Sequence, residues 1–163
     1  MTDTTLPESA IEIVEFQPRY ARYFRDLNYE WLEEYFEVEL YDKIILNDPE
    51  KHVIKQGGCV LFALTRGEVV GTCALLKHTE SKYELAKMGV TRKYRSRGIG
   101  RRLTQTAIDK ARTLGANTLV LATSKLLPVA NHLYEDMGFL HVDLSVIGPL
   151  PYNRETIVMA MKL

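Results

Sequence analysis

The segment from Tyr83 to Thr123 constrains the fold more than any other part of the chain. "YELAKMGV" has the composition of a β-strand, and the stretch after it, "VTRKYRSRGIGRRL", carries five arginines and two glycines, Gly98 and Gly100. From Gly100 onward Leu103, Ala107, Ala111 and Leu114 form one stripe of a helix, which Gly115 can end as a C′ residue. "NTLVLAT" is then a short, nearly all-apolar run of the kind buried on both faces of a sheet. A strand, a helix and a second buried strand in this order make a right-handed crossover unit.

The loop between that first strand and its helix is where chemistry is expected. A helix N-terminus offers unpaired N–H groups, and the macrodipole adds partial positive charge, so anions bind there. Gly98 and Gly100 remove side chains that would hold a phosphate away, while Arg95, Arg97, Arg101 and Arg102 add charge around the same place. The dinucleotide fingerprint fails, because Leu103 stands where its third glycine belongs, and the chain has no G-K-[ST] triplet for a P-loop. Taken alone, a glycine pair with arginines is also compatible with a tight turn and a solvated face. What fits is R-x-x-G-x-G, read as Arg95, Gly98 and Gly100.

The rest of the chain supplies a single domain over residues 1–163, with a loose polar leader over residues 1–10. "IEIVEF" suggests a first strand, and Tyr20, Tyr23, Phe24, Leu27 and Trp31 mark a helical region running from Tyr20 to about Leu46. "CVLFAL" and "EVVGTCALL" fit a hairpin turning through Arg66 and Gly67, so the early strands can form an antiparallel meander. Pro128 opens another helix with Val129, Leu133 and Met137 as its inward stripe, ended by Gly138. "FLHVDLSVI" and "ETIVMAMKL" supply two closing strands. Lysine plus arginine and aspartate plus glutamate both number 21, so bulk charge argues for neither nucleic acid nor a membrane surface. With no secretory signal or spanning segment in the sequence, a cytoplasmic location is expected. Cys59 and Cys73 are simplest as buried free thiols, and the four histidines lack ligand spacing, so no metal is expected.

The arrangement from Tyr83 to Phe139 resembles the GNAT superfamily of N-acetyltransferases. "ELAKMGV" matches the family's fourth strand, R-x-x-G-x-G its acyl-coenzyme A loop, "TLVLAT" its fifth strand, and "NHLYEDMGF" the helix that follows. The resemblance implies an α/β (α+β) fold whose mixed, mostly antiparallel sheet of about six to seven strands is flanked by helices, with the fourth and fifth strands splayed. It implies acetyl-CoA as cosubstrate, with pantetheine between those strands, paired to the main chain of Met88 and Val90. The N–H groups of Arg95, Ser96, Arg97, Gly98, Ile99 and Gly100 would hold the pyrophosphate, with Arg101 beside them. Gly89 fits either a β-bulge that opens the splay or a small-residue packing site.

Within the same resemblance Asn131 contacts the pantetheine arm, and Tyr134 protonates or hydrogen-bonds the thiolate leaving group. Their spacing of three puts both on one side of the helix, away from the apolar stripe, although a tyrosine there is also an ordinary packing residue. Glu84 stands where the histone acetyltransferase branch carries a base; its other readings are a solvent-facing strand residue or a partner of Lys87, and water chains serve as base in other members. Tyr29 and Tyr35 are candidates to line an acceptor pocket, and the glutamates from Glu30 to Glu39 either favour a cationic acceptor or form a solvated face. The expected activity is acetyl transfer to a primary amine of a small molecule or peptide by direct attack, with a homodimer compatible with the family. The alternatives are a non-catalytic acyl-CoA-binding regulatory module and a generic nucleotide-binding α/β protein.

Overall fold

The structure, a computed structural model, describes residues 6, 7 and 10–163. Eleven principal elements follow in chain order: β1 (Glu12–Glu15), α1 (Ala21–Tyr35), α2 (Leu40–Asn47), β2 (Cys59–Thr65), β3 (Glu68–Lys77), β4 (Lys82–Val90), α3 (Ile99–Thr113), β5 (Thr118–Thr123), α4 (Pro128–Asp136), β6 (Leu140–Val142) and β7 (Ile157–Lys162). They build one seven-stranded sheet in the order β1-β2-β3-β4-β5-β7-β6. All neighbours are antiparallel except β4 and β5, which the α3 crossover makes parallel. This is the mixed, mostly antiparallel sheet expected. Among the described residues no helix is long and apolar enough to cross a membrane.

Strand periodicity explains the two main layers of core. In β2 every residue is buried, because successive side chains face opposite sides and both sides are covered. Leu61 and Ala63 meet Ile99, Leu103, Ala107 and Ala111 of α3, whereas Val60, Phe62 and Leu64 meet Phe24 and Leu32 of α1 and Ile45 and Leu46 of α2. A third, smaller cluster of Val120, Val158 and Ile147 closes the far end.

Several boundaries differ from the sequence expectations. The helical region from Tyr20 to Leu46 is two helices, since the chain is extended at Phe36 and Glu39 and restarts where Glu39 and Asp42 form a reciprocal capping box. "FLHVDLSVI" holds only the short β6 before a 3-10 turn at Leu144–Val146, where the Asp143 side chain accepts from the Ser145 N–H and bends the chain away. The proposed leader lies outside the described residues apart from residues 6, 7 and 10; Leu6 donates its N–H to the Arg97 carbonyl at 3.0 Å.

A β-bulge does occur in β4, but not at Gly89. Gly89 stays in register opposite Thr72, and Ala86 opposite Ala74, so β4 carries the extra residue between them. Lys87 there has φ +54°, a left-handed conformation unusual for a residue with a side chain. Gly89 is a close-packing site: a Cβ would stand 3.0 Å from the Leu27 carbonyl oxygen and 3.1 Å from the Trp31 ring. It lets α1 lie directly on the strand.

Candidate active site

Strands β4 and β5 are in register only from Lys82 opposite Thr118 to Leu85 opposite Leu121. Beyond that point they part, and the main chain from Ala86 to Val90 faces Ala122 and Thr123 across a cleft of about 530 Å³. A sheet opened in this way leaves backbone N–H and C=O groups for a guest to pair with. Met88, Gly89 and Val90 line one wall; Arg95, Ser96, Gly98, Ile99, Gly100 and Arg101 lie at its end; Tyr134 lines it from α4.

The loop at the end of the cleft has the geometry its glycines call for. Ser96 has φ +61° and Gly98 φ +88°, so the chain reverses sharply before α3 begins. Gly98 is the N-cap and no side chain caps the helix; the Arg102 N–H returns to the Gly98 carbonyl at 3.1 Å. The N–H groups of Ile99, Gly100 and Arg101 precede that bond and have no partner within the helix. A Cβ at Gly100 would meet only Leu133, at an ordinary 3.4 Å, so packing within the protein does not demand glycine there. Together with the helix dipole this is a site shaped for an anion.

The arginines divide their labour. Arg95 is a strap: its Nε donates to the Val90 carbonyl at 3.0 Å and its Nη1 to Glu34 at 3.2 Å. Arg92 also pairs with Glu34, and its N–H donates to Glu30 at 2.8 Å. Glu30 and Glu34 are thus occupied in tying the loop to α1, and Glu39 is taken by α2 and by Arg154, so these three do not form a free acidic surface. Arg101 pairs with Asp136 at the rim, and Arg97, outside the lining, stacks over the Tyr94 ring at 5.4 Å.

On α4 the expected stripe is rotated. Val129 is 79% exposed whereas Tyr134 is only 7% exposed. The cause is Asn131, whose side chain accepts from Thr123 Oγ1 at 2.7 Å and donates to the Ser124 carbonyl at 2.9 Å, fastening its face of α4 onto the end of β5. Tyr134, nearly one turn on, follows inward and packs edge-on against Phe139, with ring centroids 5.8 Å apart. Asn131 itself does not line the cleft. Burial pushes the Tyr134 phenol well above its ordinary pKa, and among the described residues no hydrogen bond engages its hydroxyl.

Glu84 is elsewhere. Tyr83 and Leu85 face α3, so Glu84 points to the opposite side of the sheet, where it lines a second cavity of about 250 Å³ with Tyr41, His52, Leu76, His78, Ile147 and Tyr152. Its carboxylate lies 2.7 Å from His78 Nε2, and its side chain is 15% exposed. Lys87 is not its partner; that ammonium is 2.8 Å from Asp42 Oδ1. Two residues of strand, about 7 Å, separate Glu84 from Ala86 in the wall of the larger cleft.

Sequence reasoning did not single out Trp31, which lines the cleft. Of the two tyrosines it offered for an acceptor pocket, Tyr35 lines this same cleft and Tyr29 packs against the α1 core. Asp42, wholly buried, gave no signal beyond its place in a capping pair with Glu39. Both cysteines are buried and free; burial pushes Cys59 up to about 12, and neither lines the cleft. Among the described residues no group of three or more His, Cys, Asp or Glu side chains could hold a metal ion.

A parallel strand pair that opens beside an uncapped, glycine-led helix defines an α/β protein whose cleft joins a parted strand edge to a helix N-terminus that favours negative charge. Comparison narrows that class: the model of the acetyltransferase (GNAT) family matches residues 16–139, and the chain belongs to this family. The match begins far upstream of Tyr83, where the sequence resemblance was strongest. Among solved structures, a GNAT-family acetyltransferase of Staphylococcus aureus superposes with a TM-score of 0.84 at 20% identity, covering 94% of this chain and 99% of that one. An acetyltransferase of Salmonella typhimurium solved with its cofactor acetyl-CoA superposes at 0.74 with 17% identity, covering 94% of each. In sequence, the chain is 31% identical over 120 residues to the probable N-acetyltransferase camello of Xenopus tropicalis, covering 72% of this chain and 55% of that protein. It is 34% identical over 99 residues to the N-acetylaspartate synthetase of the same organism, covering 60% of this chain and 36% of the synthetase. The chain therefore spans about half the length of the first relative and about a third of the second.

Proposed function

We propose that the protein transfers the acetyl group of acetyl-CoA to a primary amine by direct attack. The observation that carries this reading is the conjunction of the opened β4–β5 pair with the uncapped α3 N-terminus at its end. The N–H groups from Gly98 to Arg101 would hold the pyrophosphate, and the main chain of Met88 and Val90 would pair with the pantetheine amides. A structure of one neighbour holds acetyl-CoA, which supports the choice of coenzyme.

Chemistry then needs three things of the chain. The amine must be neutral to attack, and the second cavity offers Glu84, backed by His78, to take its proton. Charge building on the thioester oxygen needs a preorganised donor, and the N–H of Met88, a residue of the cleft wall where the strands have parted, would supply it. The leaving sulfur needs a hydrogen bond. Tyr134 supplies it, and because burial raises its pKa the phenol stays protonated and acts chiefly as a donor to the thiolate.

Release of free CoA thiol from acetyl-CoA across a panel of small amines and lysine-bearing peptides tests the reading. Turnover with at least one acceptor, slowed about 100-fold by Tyr134→Phe, is the expected result. Tight CoA binding with no turnover on any acceptor would instead favour the regulatory acyl-CoA-binding module. Equal competition by ATP or NAD would point to a generic nucleotide site.

A further inference from the structure

The extra residue of β4 sits at the point where the cleft opens. Across from β3 the register passes from Ala86 to Gly89 with no partner for Lys87 or Met88, and pairing to β5 has already ended at Leu85. Neither residue therefore has a register partner on β3 or β5, although both belong to β4. Lys87 adopts φ +54°, which an extended strand would not choose for a lysine. A left-handed residue turns the peptide plane that follows it, and the N–H on that plane belongs to Met88.

Something must hold that conformation. The Lys87 side chain is only 7% exposed, and its ammonium lies 2.8 Å from Asp42 Oδ1 and 2.6 Å from the Tyr152 hydroxyl. The rings of Tyr152 and Tyr41 stand 5.0 and 5.7 Å from it. Asp42 is itself fixed, wholly buried, accepting from the Glu39 N–H at 2.9 Å and pairing with Arg154. One ammonium thus ties the bulge to α2 and to the segment before β7.

We propose that Lys87 is a positioning residue: its ammonium, gripped by Asp42 and Tyr152, holds the left-handed bulge of β4 and so aims the Met88 N–H at the reacting carbonyl. The proposal rests on the reading of Met88 as the donor at the thioester. It does not give Lys87 a proton to transfer, and it does not involve the pyrophosphate loop.

Three variants separate this role from a merely structural one. Lys87→Ala removes the grip and keeps the backbone strain, whereas Lys87→Gly removes the grip and the strain together, because glycine takes φ near +54° freely. Asp42→Asn weakens the grip from the other side. Expected for Lys87→Ala is a fall in kcat of about tenfold or more with CoA affinity by calorimetry within about threefold, and recovery of at least half the parental kcat in Lys87→Gly. Asp42→Asn should fall between them. Parental turnover in Lys87→Ala, or equal impairment of the alanine and glycine variants, would overturn the proposal. Should the parent protein itself release no thiol, the transferase reading fails, and the Met88 backbone amide resonance of the labelled full chain decides instead. It should move in Lys87→Ala and stay near its parental position in Lys87→Gly; identical spectra for the two variants would refute the role.

Discussion

Around the N-terminus of α3 the end of the cleft is built on main-chain N–H groups without a partner in the helix, set by the left-handed turns at Ser96 and Gly98 and by Arg95 strapping the loop to Val90 and Glu34. Around Glu84 the lining groups are side chains: His78 and His52, the phenols of Tyr41 and Tyr152, and an apolar rim. The first region depends on what is missing from the sequence and the second on what is present. A backbone-built site tolerates almost any side chain that does not intrude, while a side-chain-built cavity changes with each residue. On the reading proposed above, the first would hold the coenzyme shared by the family, and the second would hold the acceptor of a particular member.

The sharpest way to break this contrast is to fill the backbone site. Gly98→Val places a β-branched residue at φ +88° and crowds the first turn of α3, and calorimetry should show CoA affinity lowered about 100-fold in a protein whose circular dichroism is unchanged. An unchanged affinity would mean that the arginine side chains, not the main chain, hold the anion. Next in size is Glu84→Gln, which should lower kcat/KM for the amine about tenfold and leave CoA affinity alone. Equal loss of both would show that the two cavities act as one.

A pH series tests the buried cluster between the two regions. Burial acts to raise the Asp42 pKa, but Lys87, the Glu39 N–H and Arg154 together hold it below the usual aspartate range. A carboxylate depressed in the folded state contributes stability above its unfolded pKa of about 3.9 and loses it as pH falls through the folded value. The urea midpoint of the parent protein should therefore drop on going from pH 5 to pH 3, and Asp42→Asn, already weaker at neutral pH, should show a smaller drop. The smallest effect belongs to the rim. Asp136→Ala frees Arg101 from an exposed pair, and CoA affinity should change by no more than about twofold.

How much of this was legible in the sequence follows the same division. The crossover unit, the hairpin, the Pro128 helix and the uncapped loop all announced themselves, because glycine, proline and hydrophobic period act locally. The inward turn of Tyr134 did not, since the rotation of α4 is set by Asn131 reaching Thr123 and Ser124 on another element. The bulge was visible only as an irregularity and fell on the wrong residue. Gly89 drew attention as the one glycine in the strand, yet it serves contact with α1, while the extra residue is a lysine whose strain is balanced by partners 45 and 65 positions away. Nor could charge counting tell that Glu30, Glu34 and Glu39 are spent on internal ties.

The packing of Gly89 against the Leu27 carbonyl has a mechanical corollary. With no side chain between them, α1 and the β4 wall of the cleft form a single stiff jaw, and any rocking of the helix would drag the strand along. If the cleft closes on a guest, the movement falls to the opposite wall, and the break between β5 and α4 at Ser124 to Leu127 is where it would hinge. Deuterium uptake in a ligand-bound sample should slow at that hinge and hardly alter along α1.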